Sequence, residues 1–218
     1  MPEHHVWNLS IKEAAEVQRN LRSRVSLEDG FGEIRLIAGV DVGVPAKTNE
    51  GHSVVVVLTY PGFEIVEVQR AAEELQFPYI PGFLSFREAP VILKAFEKLE
   101  VVPDIVMVDG QGIAHPRGLG IAAHLGVILD LPTIGCAKSH LFGRYTEPGI
   151  ERGSVSMVAD RQGGQIGDVV RTRSGVKPVF VSPGNKISFS SAVKVVLDCA
   201  VKYRLPEPTR IAHKLASG

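Results

Sequence analysis

The sequence contains few cysteines and no long apolar run. Cys136 and Cys199 stand far apart and form no C-x-x-C pair, so the usual spacing of a zinc knuckle or a redox dithiol is absent. We therefore expect both cysteines to be reduced thiols in the core. The longest apolar stretches, such as residues 54–58, are far shorter than the roughly 20 residues of a membrane-spanning helix. No membrane span is predicted.

The amino terminus lacks a basic region followed by an apolar stretch. No secretory signal is therefore predicted, and we expect a cytoplasmic protein. The chain also lacks internal repeats and low-complexity linkers. Its 218 residues are 44% hydrophobic and 22% charged, which is typical of a globular protein. We expect residues 1–218 to form a single domain, because a chain of this length can bury one sizeable core. We also expect a monomer.

The chain has no net charge as a whole, but its two parts differ. Residues 1–137 contain 11 basic and 18 acidic side chains, whereas residues 138–218 contain 13 basic and 6 acidic ones. The basic part fits a polyanionic partner, although two complementary parts of one globule would give the same split. One hypothesis is that some of its basic side chains contact a phosphate backbone: Arg171, Arg173, Lys177 and Lys186.

The apolar pattern predicts strands first and then alternating helices and strands. Residues 34–44, 53–60 and 64–69 are β-branched runs separated by turn residues, which is typical of three antiparallel strands. Short apolar runs at 104–109 and 132–137 are typical of buried parallel strands. Further strands are predicted at 155–159, 166–172 and 178–181, and helices at 11–25, 85–99, 118–130, 189–203 and from 208 to about 215.

This order of elements predicts an α/β fold with one mixed sheet. Three antiparallel strands are continued by parallel strands, and helices cover both faces. In such a sheet, ligands bind at the carboxyl ends of the parallel strands. Acidic residues at those ends are therefore candidates for a functional site.

Two aspartates lie at or near the ends of apolar runs, and one glutamate lies in the first turn of a predicted helix. Asp41 lies within the run 37–43 (IAGVDVG), Asp109 precedes Gly110, and Glu88 lies early in the helix between them. Alone, each aspartate could be a turn residue, and Glu88 could complement a helix dipole. Buried carboxylates are costly unless they are paired or bind a metal. Three carboxylates at one edge of the sheet indicate a site for Mg²⁺, for which Mn²⁺ can substitute. Such a metal site is suited to phosphodiester hydrolysis.

Three further features could belong to the same site. Residues 78–82 (PYIPG) form a short loop that two prolines make rigid, and its Tyr79 could enter a base stack or pack on the core. His115 could shuttle a proton or donate a hydrogen bond to a phosphate, or it could have only a structural role. Lys138 follows a predicted strand and could neutralise a phosphate or remain solvated.

Together these stretches resemble the endonuclease V family, and the PYIPG block followed by FRE is the most specific match. The resemblance covers most of the chain in family order: residues 38–41 (AGVD), 78–82 (PYIPG), 86–88 (FRE), 108–112 (VDGQG), 115–117 (HPR), 123–126 (AHLG), 132–135 (PTIG), 137–139 (AKS) and 181–184 (VSPG). The resemblance implies a ribonuclease-H-like fold. It also implies a DNA repair enzyme that recognises deoxyinosine and uses Mg²⁺ to hydrolyse the second phosphodiester bond 3′ to it.

The resemblance further implies a role for individual residues. Asp41, Asp109 and Glu88 resemble the metal-binding acids, and Lys138 and His213 resemble further catalytic residues near the phosphate and the metal. Tyr79 resembles a wedge that fills the gap left by a flipped base. The residues expected to bind the substrate are Tyr79, Ile80, Pro81, Gly82, Leu84, Gly110, His115 and Ile121.

Some positions depart from the common family pattern, and other functions stay open. Cys136, Gly118 and His140 differ from the residues that are frequent in the family, which concerns strand contacts and substrate preference. The partner is DNA containing deoxyinosine, or alternatively RNA containing inosine, and a protein that binds inosine without cutting is a third hypothesis. The run 39–43 also resembles a phosphate loop of actin-like ATPases, but the second loop and the adenosine motif are missing.

Overall fold

The computed structural model describes residues 5–45 and 48–217. Within these residues, eight strands form one mixed sheet and five α-helices pack against it. The strands are β1 (Leu36–Gly43), β2 (Glu50–Thr59), β3 (Ile65–Glu74), β4 (Ile105–Val108), β5 (Thr133–Ala137), β6 (Val155–Ala159), β7 (Gln165–Val170) and β8 (Val179–Asn185). The helices are α1 (Ile11–Arg22), α2 (Leu84–Phe96), α3 (Ile121–Leu129), α4 (Phe189–Cys199) and α5 (Glu207–Ala216).

The strands follow the order β3-β2-β1-β4-β5-β8-β7-β6 across the sheet. The first three pair antiparallel, as their β-branched runs predicted, and β1, β4 and β5 pair parallel. Beyond β5 the sheet becomes antiparallel again through β8, β7 and β6. The mixed α/β sheet is confirmed, and this second antiparallel part extends it beyond the parallel strands.

Helices cover both faces of the sheet, as predicted. On one face α5 packs on β1 and β2, and α4 packs on β8 and β7. On the other face lie α2 and α3, and α1 packs against α3. Cys136 and Cys199 are free thiols buried in the core, and burial raises the pKa of both. In the described part of the chain, no helix combines the length and apolar character needed to cross a membrane.

Local residues explain where the helices begin and end. Ser10 and Glu13 form a capping box at the start of α1, with each side chain accepting the other residue's backbone N–H. The predicted helix at 118–130 begins only at Ile121, because Gly118 has a φ of 66° and cannot continue a right-handed helix. Pro208 lies in the first turn of α5, where its missing N–H costs nothing.

A glycine in β1 lets α5 approach the sheet closely. A Cβ atom added at Gly39 would lie 2.0 Å from the carbonyl oxygen of Pro208 in α5. Any larger residue would push the helix away from the strand. This contact matters for the site, because α5 carries His213 towards the carboxyl end of β1.

We expect Gly39→Ala to lower the free energy of unfolding by about 3 kcal/mol, the upper end of the usual cost of overpacking. Urea unfolding followed by circular dichroism measures the change. Gly32→Ala is the matched control, because a Cβ added there meets no atom within 4 Å. If both variants unfold at the same urea concentration, α5 does not pack on β1 as closely as described.

Candidate active site

Two aspartates meet at the carboxyl edge of the parallel strands. Val40 of β1 and Val108 of β4 are partners in the parallel ladder, and Asp41 and Asp109 directly follow them. Both aspartate side chains are only 14% exposed. One ligand atom each of Asp41, Asp109 and His213 lie within 4.8 Å of one another. The structure therefore brings Asp41 and Asp109 together at one edge of the sheet, as the sequence predicts.

Each aspartate has a positively charged or hydrogen-donating neighbour. The Nδ1 atom of His213 lies 2.9 Å from Oδ2 of Asp41, and a carboxylate can only accept, so Nδ1 carries the hydrogen. The Nζ atom of Lys138 contacts Oδ2 of Asp109. Lys138 follows β5, the next parallel strand, so its position follows from the sheet order. These contacts offset part of the repulsion between the two carboxylates.

Glu88 lies on α2 and faces the same cavity as the aspartates. Burial raises the pKa of Glu88 to about 8, and the negative charges of Asp41 and Asp109 add to this shift. Glu88 is not part of the group of ligand atoms within 4.8 Å, in which His213 stands instead. The expected third acid is thus near the aspartates, but a histidine from α5 lies closer.

A cavity of about 400 Å³ adjoins the carboxylates and has the size of a small-molecule site. Asp41, Glu88, Asp109 and Lys138 line one part of it. All the residues expected to bind the substrate also line it: Tyr79, Ile80, Pro81, Gly82, Leu84, Gly110, His115 and Ile121. The fold therefore brings together two sets of residues that are far apart in the sequence.

Gly82 forms a fixed part of the cavity wall. Its φ of 83° favours glycine, and its carbonyl oxygen accepts hydrogen bonds from three side chains. The donors are Gln18 Nε2 at 3.1 Å, His115 Nε2 at 2.9 Å and Arg117 Nη2 at 2.6 Å. Three donors on one oxygen hold the PYIPG loop against α1 and the loop that follows β4.

His115 lines the cavity and supports the wall formed by Gly82. Its Nε2 donates to Gly82, and its Nδ1 accepts the backbone N–H of Arg117 at 3.2 Å. Burial lowers the pKa of His115 to about 4, and the charge of Arg117 contributes. A neutral imidazole with both nitrogens engaged favours the structural interpretation over a proton shuttle.

A close contact between Gly110 and Ile121 forms another part of the cavity wall. A Cβ atom added at Gly110 would lie 2.5 Å from Cγ2 of Ile121, so only glycine allows Ile121 this position. Tyr79, at the rim, is 71% exposed. Beneath its loop the rings of Phe77 and Phe83 stack with centroids 6.1 Å apart. The exposed tyrosine therefore projects from a firmly packed aromatic base.

Two residues that line the cavity, Gln18 and Gln111, were not predicted from the sequence. Gln18 lies on the apolar face of α1, and a polar side chain on that face is the signal that could have revealed it. The amide of Gln111 donates to the carbonyl of Ser139 at 3.1 Å, which joins the loops after β4 and β5. No spacing pattern marks this second contact, because it depends on the parallel pairing of the two strands.

The hypothesis that Arg171 contacts a phosphate backbone is wrong. Arg171 is 6% exposed, and its guanidinium bonds Glu147 and the carbonyls of Gly149, Pro148 and Val176. A charge count cannot distinguish such a buried arginine from an exposed one.

Lys186 does not fit the hypothesis either. It follows β8 at the opposite edge of the sheet and pairs with Asp130 at 2.8 Å. Arg173 and Lys177 are exposed, and an Nη1 of Arg173 donates to the carbonyl of Lys202.

Comparison with known proteins relates the whole chain to one family. The Endonuclease V family model matches residues 19–214. The chain is 53% identical to the Endonuclease V of Rippkaea orientalis over 208 residues, which cover 95% of this chain and 90% of that protein. It is 52% identical to the Endonuclease V of Trichormus variabilis, over 98% of this chain and 96% of that protein.

Solved structures show the same relationship. The crystal structure of the Endonuclease V from Streptomyces avermitilis has a TM-score of 0.92 and 39% identity, and the match covers 100% of this chain and 95% of that one. This likeness confirms the expected ribonuclease-H-like fold. A further match is the Endonuclease V of Ciona intestinalis in complex with DNA that contains an inosine followed by a ribo-adenosine, with a TM-score of 0.84, 27% identity and 95% coverage of both chains. The chain belongs to the endonuclease V family of nucleases.

Proposed function

We propose that this protein is a divalent-metal-dependent endonuclease that cuts DNA at the second phosphodiester bond 3′ to a deoxyinosine. One observation carries the proposal. The ligand atoms of Asp41, Asp109 and His213 lie within 4.8 Å of one another, beside a cavity walled by Gly82 and Gly110. The Ciona relative was crystallised with DNA that contains an inosine. The inosine-containing DNA in that crystal structure supports deoxyinosine DNA as the substrate proposed for this protein.

The donor set at the sheet edge fits Mg²⁺. Asp41 and Asp109 offer the hard carboxylate oxygens that Mg²⁺ prefers, and Glu88 is a third acid in the same cavity. The nitrogen of His213 is a less suitable ligand for Mg²⁺ and already bonds Asp41, so we assign it the role of orienting that carboxylate. When bound, Mg²⁺ supplies a water of lowered pKa and offsets negative charge on the scissile phosphate.

The cavity suits the edge of hypoxanthine. Leu84 is the first residue of α2, so its backbone N–H has no carbonyl one turn earlier in the helix to accept it. That N–H can donate to O6 of hypoxanthine, whereas adenine carries an amino donor at the same position. Ile121 packs beside the base, and Tyr79 fills the gap in the stack that base flipping leaves. Lys138 can exchange its contact with Asp109 for the phosphate.

Glu88 holds a proton near neutral pH when no cation is present, because its pKa is raised to about 8. A cation beside Asp41 and Asp109 favours the ionised form. We assign Glu88 to the metal site on this ground. Its protonation also affects stability, since the unfolded chain releases that proton near the ordinary pKa of 4.5.

We expect Asp41→Asn to reduce cleavage of a duplex with one deoxyinosine by more than about 100-fold, because even residues that only support a metal ligand typically contribute 10–100-fold. The substrate is end-labelled, incubated with Mg²⁺ or EDTA, and sized on a denaturing gel. The parent should give one Mg²⁺-dependent nick at the second phosphodiester 3′ to the lesion.

Asp130→Asn is the matched control, because Asp130 is exposed and lies at the opposite edge of the sheet. Asparagine also tolerates its φ of 57°. Binding of inosine without any nick would contradict the proposal and favour a binding protein. A strand cut only when ribonucleotides follow the inosine would favour an RNA substrate.

Glu88→Gln should stabilise the metal-free protein at pH 8 by about 2 kcal/mol or more, since each unit of pKa shift corresponds to about 1.4 kcal/mol. In the parent, the free energy of unfolding falls as the pH rises from about 4.5 to 8, because only the folded state keeps the proton. At pH 5 the two proteins should differ little. Thermal unfolding in EDTA at several pH values measures this, with Glu97→Gln as the control, because Glu97 is exposed and directly follows the same helix. Identical pH profiles of the Glu88 variant and the parent would contradict the raised pKa.

A further inference from the structure

Four arginines from three segments form what we call the arginine patch: Arg19 and Arg22 of α1, Arg117 in the loop after β4, and Arg161 in the turn between β6 and β7. Three of them, Arg22, Arg117 and Arg161, line a cleft of about 320 Å³. The positive charge of Arg19 contributes to a lowered pKa of Arg117, so these two guanidinium groups are also close. The patch therefore concentrates positive charge in one place.

In the described part of the chain, no ion pair holds the arginine patch. Within residues 5–45 and 48–217, none of the four arginines forms an ion pair, whereas Arg35, Arg171 and Arg210 each pair with a glutamate. Asp160 also lines the cleft, where its Oδ1 accepts the backbone N–H groups of the following turn. This single carboxylate balances only part of the charge of the three arginines beside it, and an anionic partner lowers the remaining repulsion.

The cleft continues from the cavity of the candidate active site. His115 lines both, while the carboxylates of the candidate active site line only the cavity, and Arg22 and Arg161 line only the cleft. The base-binding walls thus separate the metal ligands from the arginine patch. Phe142 and Pro116 add apolar surface to the cleft. A strand that places one base in the cavity can extend in both directions from it.

We propose that the arginine patch binds backbone phosphates of the lesion strand on the 5′ side of the inosine. This inference rests on the proposed function, in which the scissile bond lies 3′ to the base and beside the carboxylates. The 5′ flank then leads away from the carboxylates, past His115 and into the cleft. Guanidinium groups match phosphate oxygens with two parallel hydrogen bonds, which suits arginine to this contact.

The test removes two arginines that do not hold the cavity wall. The logarithm of the binding constant falls linearly with the logarithm of the salt concentration, and we expect Arg22→Ala/Arg161→Ala to make this slope less negative by about 1.8, because each phosphate contact contributes about −0.9. Fluorescence anisotropy measures binding to a duplex with one deoxyinosine, with Ca²⁺ replacing Mg²⁺ to prevent cleavage. Arg161→Ala alone keeps the packing of Arg22 against Gly118 and should make the slope less negative by about 0.9.

The control variant Arg35→Ala/Arg70→Ala removes two arginines that lie elsewhere and are exposed. Arg35 precedes β1 at the opposite edge of the sheet, and Arg70 lies on the outer strand β3, so the slope should not change. On a duplex that ends directly 5′ to the inosine, the patch variant and the parent should have equal slopes.

Two results would overturn the inference. One is an unchanged slope for the patch variant on the full duplex. The other is a difference between variant and parent that persists without the 5′ flank. If the parent binds and nicks deoxyinosine DNA in Mg²⁺ while either result is obtained, only the patch assignment fails. If the parent neither binds nor nicks that DNA, the proposed function fails as well.

Discussion

Two carboxylates held side by side at the ends of parallel strands repel each other, and much of the surrounding structure offsets that repulsion. The parallel pairing of β1 with β4 places Asp41 and Asp109 next to each other. His213 donates to one and Lys138 contacts the other. Burial and these two negative charges keep Glu88 protonated near neutral pH. A divalent cation would neutralise these carboxylates more completely than His213 and Lys138 do. We therefore propose that this edge of the sheet binds a metal ion.

The cavity beside the carboxylates depends on the loop that leaves Asp109. Within a few residues this loop supplies Gly110, against which Ile121 packs, and then His115 and Arg117, which hold the carbonyl of Gly82. The PYIPG loop is therefore fixed by the segment that also carries an aspartate. A flipped base in the cavity and a phosphate near the metal ligands would be positioned by one continuous piece of chain.

The sequence predicted this site well where local patterns suffice. The runs that hold Asp41 and precede Asp109 are β-branched and apolar, so both strands could be located without a structure. The placement of β8, β7 and β6 was harder to predict, since antiparallel pairing with β5 leaves no local mark. The family resemblance pointed to His213, but its contact with Asp41 depends on the close approach of α5 at Gly39, which no spacing reveals.

Charge composition was the least reliable guide. The basic carboxyl-terminal part suggested Arg171 as a phosphate contact, yet its guanidinium is buried among carbonyl oxygens. The arginine patch comes from α1, the loop after β4 and the β6–β7 turn, and two of these segments belong to the acidic part of the sequence. Only the folded arrangement shows which cations are left unneutralised.

Anomalous diffraction from crystals grown with Mn²⁺ and deoxyinosine DNA tests the central claim most directly. Mn²⁺ prefers the same oxygen ligands as Mg²⁺ and scatters anomalously. The account predicts a peak bound by carboxylate oxygens of Asp41 and Asp109, and its loss in Asp41→Asn. A protein that binds the DNA with no peak between these aspartates would contradict it.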